Sequence, residues 1–161
     1  MGGILTAITV VFQAAPVFLP ALGMLFSPFS TLPIAIAAFY NISLGITVYF
    51  SSALILVFIS LQEAIILLFT TGLLGIVIGT FLFRKGMPVS ILFSVITLSL
   101  GMISLTYIVG ISAFGDLKGS LSLPLTLLIY LLFSLIYGII WNIYVKKFIH
   151  YLIKIKVIKR N

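Results

Sequence analysis

Charged side chains are almost absent from the first half of the chain. Residues 1–83 contain one formally charged side chain, Glu63, and further uncharged runs follow over Gly86–Gly115 and Gly119–Val145. A water-soluble fold of 161 residues with this pattern would expose an apolar surface, which a bilayer accepts and water does not. The pattern therefore predicts an integral membrane protein.

Proline and amide residues divide this apolar pattern into helical segments. The stretch from Leu32 to Ser60 is longer than the roughly 20 residues that one spanning helix needs, so we divide it at Tyr40-Asn41. Pro16 and Pro20 predict a kink or break in the first segment. Six segments result, with the strongest turn signal at Ser27–Pro33: Ile4–Leu22, Leu32–Tyr40, Ser43–Ile59, Gln62–Phe83, Pro88–Ile111 and Leu121–Tyr144.

These segments predict an all-α, polytopic membrane bundle. We expect about six transmembrane helices over residues 1–145, with short second and third helices, and a basic cytoplasmic tail over residues 146–161. Six crossings place both termini and the Arg84-Lys85 turn on one side, which the positive-inside rule makes the cytoplasm. Five crossings would move the N-terminus to the outside, and charge leaves that alternative open because the N-terminal segment has no basic side chain.

Composition narrows the class of protein. The chain is 63% hydrophobic, carries a net charge of +7 and has no cysteine. Six of its nine basic residues lie in the tail, a distribution typical of contact with anionic lipid rather than with nucleic acid. Its single histidine is also in the tail, and there is no phosphate-binding glycine loop. We therefore expect a cell-membrane protein with no cofactor, no metal site and no enzymatic activity.

Glu63 is the first candidate for function, because a carboxylate inside a membrane segment is costly and needs a partner. Near a helix start it can be stabilised by free N–H groups alone. The functional alternative is an outer pocket in which Glu63 meets Lys118, a cluster of N–H groups or a ligand cation. Asp116 and Lys118 could equally form a solvated loop pair. The candidate ligand-binding residues are Gln62, Glu63, Asp116, Lys118, Ser30, Thr31 and Tyr130.

Small residues at four-residue spacing mark predicted helix contacts. Gly75 and Gly79 in the fourth segment, and Gly3 and Ala7 in the first, form faces that let helices approach closely. Ser90 and Ser94 begin a similar face in the fifth segment. Gln13 is an amide within the first segment and must hydrogen-bond in the bundle or to a ligand.

Two aromatic residues predict where the last segment leaves the membrane. Trp141 and Tyr144 lie shortly before the basic tail. Because aromatic rings with a polar edge concentrate at the headgroup level, we expect both at the cytoplasmic interface.

The order of these features resembles the S components of energy-coupling factor vitamin transporters. It also resembles a related group of six-helix prokaryotic membrane proteins. The resemblance covers about residues 4–145 and depends on the segment order and on the stretch FTTGLLGIVIGTFLFRK at 69–85. It implies a membrane-embedded binding subunit that takes up a vitamin or similar small molecule in an outer pocket. Its partners would be a transmembrane coupling protein and ATPase subunits.

Two features keep other readings open. The coupling face of S components is an alanine-xxx-alanine pattern, and the corresponding pair here is Gly3 and Ala7. Small six-helix scaffold proteins of the bacterial rod-shape machinery have a similar outline and transport nothing. A structural role in the cell envelope is therefore the alternative function.

Overall fold

The computed structural model describes residues 1–111 and 123–154, and every regular element within them is a helix. The α-helices are α1 (Gly2–Phe18), α2 (Pro20–Phe26), α3 (Thr31–Tyr40), α4 (Ile42–Ile59), α5 (Leu61–Ile66), α6 (Gly72–Phe81), α7 (Met87–Ser104) and α8 (Leu123–Lys154). A 3₁₀ turn, Ser27–Ser30, joins α2 to α3, and π-helical turns join α5 to α6 (Leu67–Thr71) and follow α7 (Leu105–Val109).

Five helical stretches are long and apolar enough to cross a membrane: Pro20–Tyr40, Ile42–Ile59, Leu61–Phe81, Met87–Val109 and Leu123–Lys154. Gly2–Phe18 is apolar but shorter. The protein is thus an all-α, multi-pass membrane bundle, as the charge pattern predicted. The third predicted helix is α4, whose 18 residues make it a full-length span rather than a short one.

The predicted division at Tyr40-Asn41 is confirmed. Asn41 has extended backbone angles (φ −154°, ψ 132°), and its side chain accepts a hydrogen bond from the Ser43 N–H. This is an N-cap, in which a side-chain oxygen satisfies an N–H that the first helical turn leaves free. The asparagine both ends α3 and starts α4.

The predicted turn at Ser27–Pro33 is wrong. The chain stays helical there, passing from α2 through the 3₁₀ turn into α3. Pro28 lies at the start of the 3₁₀ turn, where a missing N–H costs little. The reversal occurs earlier, at Leu19, between the end of α1 and Pro20 at the start of α2. A Cβ on Gly23 would overlap the backbone of Ala15, so α2 folds back tightly on α1.

Helix α3 forms the centre of the bundle. All its residues from Thr31 to Ala38 are buried, which leaves no lipid-facing side over those positions. At ten residues it is about 15 Å long, or half the hydrocarbon thickness. α6 packs against it at backbone distance: a Cβ on Gly75 would lie 2.8 Å from the Thr31 carbonyl oxygen, and one on Gly79 would overlap that of Ala35.

The face of α1 that carries Gly3 and Ala7 has no close contact with another described helix, unlike the face of α6. Both residues are exposed, and nothing lies within 4 Å of a Cβ built on Gly3. The two small-residue faces of the sequence therefore have different surroundings, one inside the bundle and one on its outside.

Helices α7 and α8 are joined by a buried amide. Asn142 Oδ1 accepts from the Ser90 hydroxyl, and Asn142 Nδ2 donates to Ser94 Oγ (3.1 Å) and to the Gly138 carbonyl (2.8 Å). The amide uses both its donor and its acceptor capacity here. The serine face of α7 is thus a hydrogen-bonded contact with α8.

The Trp141 ring faces into the bundle, so it does not face lipid as a residue of an aromatic belt would. The ring is 6% exposed and packs edge-on against Phe29, with the ring centroids 5.7 Å apart. Tyr144 meets the same Phe29 ring at 6.0 Å and is 40% exposed. Phe29 lies in the 3₁₀ turn and supplies an aromatic surface against which both rings pack.

The basic residues within residues 1–111 and 123–154 collect at one end of the bundle. Phe83, Met87 and Lys147 line a common groove there, which places the α6–α7 junction beside the last turns of α8. We call this the basic end. The opposite end carries the helix junctions at Leu19 and Ser60, together with the end of the π-helical turn that follows α7. α8 continues without a break through position 145, so residues 146–154 extend a helix.

We predict different outcomes for two glycine-to-alanine changes. Gly79→Ala should destabilise the bundle by about 1–3 kcal/mol, because a new methyl group collides with the α3 backbone. Gly3→Ala is the matched control and should leave the unfolding midpoint unchanged. Thermal unfolding in detergent measures both, and equal midpoints for the two variants would contradict the packing described here.

Candidate functional site

Gln13 is the centre of a buried hydrogen-bond network. Its Nε2 donates to Glu63 Oε2 at 2.8 Å, and its Oε1 accepts from the hydroxyls of Ser30 (2.7 Å) and Thr71 (2.9 Å). A carboxylate only accepts and the hydroxyls can donate, so the amide nitrogen must face Glu63. The amide orientation is therefore determined by its partners.

The network connects four segments of the chain. Gln13 lies on α1, Ser30 ends the 3₁₀ turn, Glu63 is in the first turn of α5 and Thr71 ends the π-helical turn. Ser60 caps α5 by accepting from the Glu63 N–H at 3.4 Å. Each segment is held by a side chain that would be costly to leave unpaired in a membrane interior.

Glu63 is 8% exposed and is the only acidic residue within the described parts of the chain. Its partner there is the amide of Gln13, which is none of the three partners expected from the sequence. The two residues are 50 positions apart on separate helices, so no local pattern connects them. Asp116 and Lys118 lie outside the described residues.

A cavity of about 330 Å³ lies beside this network. Its lining is mostly apolar, with a few hydroxyl and amide groups, and comprises Pro28, Gln62, Ile66, Thr70, Thr71, Leu98, Met102, Leu105, Ile111, Phe133 and Tyr137. Thr71 belongs to both features, since it lines the cavity and donates to Gln13. The buried network therefore supports one wall of the cavity.

Both π-helical turns contribute to the cavity wall, one through Thr70 and Thr71 and the other through Leu105. The π-helical turn at Leu67–Thr71 is also contacted by α4, because the Tyr49 hydroxyl donates to the Leu68 carbonyl at 2.8 Å. α7 reaches the same turn through Gly101, where a Cβ would overlap the Phe69 carbonyl oxygen. π-helical turns are rare and occur often at functional sites.

The predicted site residues fall into different places. Gln62 lines the cavity, whereas Ser30 and Glu63 belong to the network. Thr31 is fully buried, and its hydroxyl has no hydrogen-bond partner among the described residues. Tyr130 is fully buried, shares a 2.9 Å hydrogen bond with Thr106 and packs with two cavity-lining residues, Leu98 and Met102.

Two residues of the network were absent from the predicted site: Gln13 and Thr71. Gln13 carried a usable signal, because an amide inside an apolar segment requires a partner. Thr71 carried no comparable signal in the sequence, because a threonine can hydrogen-bond to the backbone of its own helix. Its place in the network depends on the π-helical turn, which spacing rules for an α-helix do not anticipate.

Comparison of the chain with protein-family models, with curated proteins and with solved structures found no match. The resemblance to transporter S components therefore stays a prediction, and the site is interpreted from its own geometry.

We predict that Gln13→Leu lowers the free energy of unfolding by roughly 1–3 kcal/mol, because it leaves Glu63 and two hydroxyls without their partner. Gln62→Leu is the control, since Gln62 is an exposed glutamine next to Glu63 and should tolerate the change. Chemical unfolding in mixed micelles measures both variants. Equal losses, or no loss in Gln13→Leu, would mean that the network does not stabilise the fold.

Proposed function

We propose that the protein is a membrane-embedded binding subunit for a small, largely apolar molecule with one or two hydrogen-bonding groups. The observation that carries the proposal is the 330 Å³ cavity, whose lining combines apolar side chains with Gln62, Thr70 and Thr71. Ligand sites in proteins have this size and composition, with few polar groups in an apolar wall. The proposal assigns the protein no chemical reaction.

The position of the cavity favours uptake from outside the cell. Gln62 and Ile111 place it toward the end of the bundle opposite the basic end. With the basic end in the cytoplasm, as the positive-inside rule favours, the cavity faces outward and both termini lie inside. A binding subunit of a prokaryotic uptake transporter would hold its substrate there.

Transport would require partners that supply energy. The resemblance to S components suggests a transmembrane coupling protein with ATPase subunits. The exposed Gly3 and Ala7 on α1 form the surface we assign to that coupling protein, since small residues let a partner helix approach closely.

One observation favours the alternative of an envelope scaffold without a ligand. Every polar atom of the Gln13 amide is already paired inside the chain, so the network needs no bound molecule to be satisfied. In that case the cavity would be a packing defect that lipid tails fill.

A pair of neighbouring isoleucines tests the proposal. Ile66 lines the cavity and Ile65 does not, although both are half-buried. Native mass spectrometry should detect a retained small molecule on the purified wild-type protein and on Ile65→Trp. Ile66→Trp should lose it, because the larger ring occupies the site. Absence of any such molecule from the wild type, or its retention in Ile66→Trp, would favour the scaffold.

Cysteine labelling tests the orientation. We predict that Lys85→Cys and Lys154→Cys react with an impermeant maleimide only after the cell is opened, whereas Leu61→Cys reacts in intact cells. All three side chains are exposed on the bundle, so access depends on the side of the membrane. Labelling of Lys85→Cys in intact cells would reverse the proposed orientation.

A further inference from the structure

A second concave surface lies at the basic end, on the stretch of α8 that follows the cavity-lining residue Tyr137. This groove has a volume of about 590 Å³ and runs between the α6–α7 junction and the last turns of α8. Its lining is Phe83, Met87, Ile143, Lys146, Lys147, His150, Tyr151 and Lys154. We call it the basic groove.

The basic groove combines two kinds of surface. Three lysines, Lys146, Lys147 and Lys154, supply positive charge over the last nine residues of α8. Apolar surface comes from Phe83 and Met87 at the α6–α7 junction and from Ile143, which precedes the lysines on α8. A ligand that matches both must have an anionic part and a hydrophobic part.

The lysine charges have no carboxylate to neutralise them in the described parts of the chain. No acidic residue is among the described residues that line the groove, and Glu63, the one acidic residue described, is bonded to Gln13 beside the cavity. Three like charges that line one groove repel each other in the absence of an anion. The groove therefore favours an anionic ligand.

The length of α8 places the lysines at the membrane surface. Thirty-two residues of helix extend about 48 Å, whereas the hydrocarbon core is about 30 Å thick. The apolar part of α8 can thus span the bilayer while its basic last turns reach the headgroups, where phosphate is abundant. Basic pockets between helices at this level are suited to lipid headgroups.

We infer that the basic groove is a specific binding site for one anionic phospholipid. The phosphate would lie among Lys146, Lys147 and Lys154, and one acyl chain would follow Phe83, Met87 and Ile143. This inference is independent of the proposed cavity ligand, because the described linings of the two sites have no residue in common.

The test uses dioctanoyl phosphatidylglycerol titrated onto the full chain in a neutral detergent, with native mass spectrometry counting bound lipid. We expect one tight binding event. Lys147→Gln with Lys154→Gln should weaken it roughly 30-fold, since each lysine near an anionic lipid contributes about 1 kcal/mol. The control, Arg84→Gln with Lys85→Gln, removes the same charge at the same end but outside the groove, and should change binding less than about threefold.

Two further ligands and one further variant complete the design. Dioctanoyl phosphatidylcholine tests the charge requirement, and sn-glycerol phosphate tests the need for acyl chains; both should bind at least about tenfold more weakly. Lys147→Arg with Lys154→Arg should retain binding, which separates lost charge from misfolding. Equal losses in the groove variant and the control, or glycerol phosphate bound as tightly as the lipid, would overturn the inference.

Discussion

The hydrogen bond from Gln13 to Glu63 is the interaction on which the rest of the bundle depends. It pairs a carboxylate that is 8% exposed with a fully buried amide, and the same amide also accepts from Ser30 and Thr71. In a membrane interior no water replaces a missing partner. The four segments must therefore pack so that all these groups are paired at once. Because α3 starts directly after Ser30, the same network holds α3 at the centre of the bundle.

That arrangement links the fold to the candidate site. Thr71 connects the network to the cavity, and the π-helical turn that contains it is contacted by Tyr49 from α4 and by Gly101 from α7. The cavity wall is thus supported from several helices rather than by one. A wall supported in this way suits the binding role proposed above, because less ordering is required when a ligand arrives.

The sequence predicted the parts of this structure that depend on local pattern. Absent charge predicted the membrane, and Asn41 predicted the boundary between α3 and α4. The error at Ser27–Pro33 arose because proline is compatible with a helix start as well as with a turn, and the local pattern alone does not distinguish the two. The partnership of Gln13 with Glu63 joins residues 50 positions apart. The sequence alone therefore does not show that these two residues are partners, because their contact depends on how the helices pack.

A double-mutant cycle between Gln13 and Glu63 tests the central claim most directly. The free energies of unfolding are measured for the wild type, Gln13→Leu, Glu63→Leu and the double variant in the same micelles. If the two side chains are bonded as described, the double variant should be more stable than the sum of the single losses predicts, by about 0.5–3 kcal/mol. Losses that add to within about 0.3–0.5 kcal/mol would show that the two residues do not interact, and the account of the bundle would be wrong.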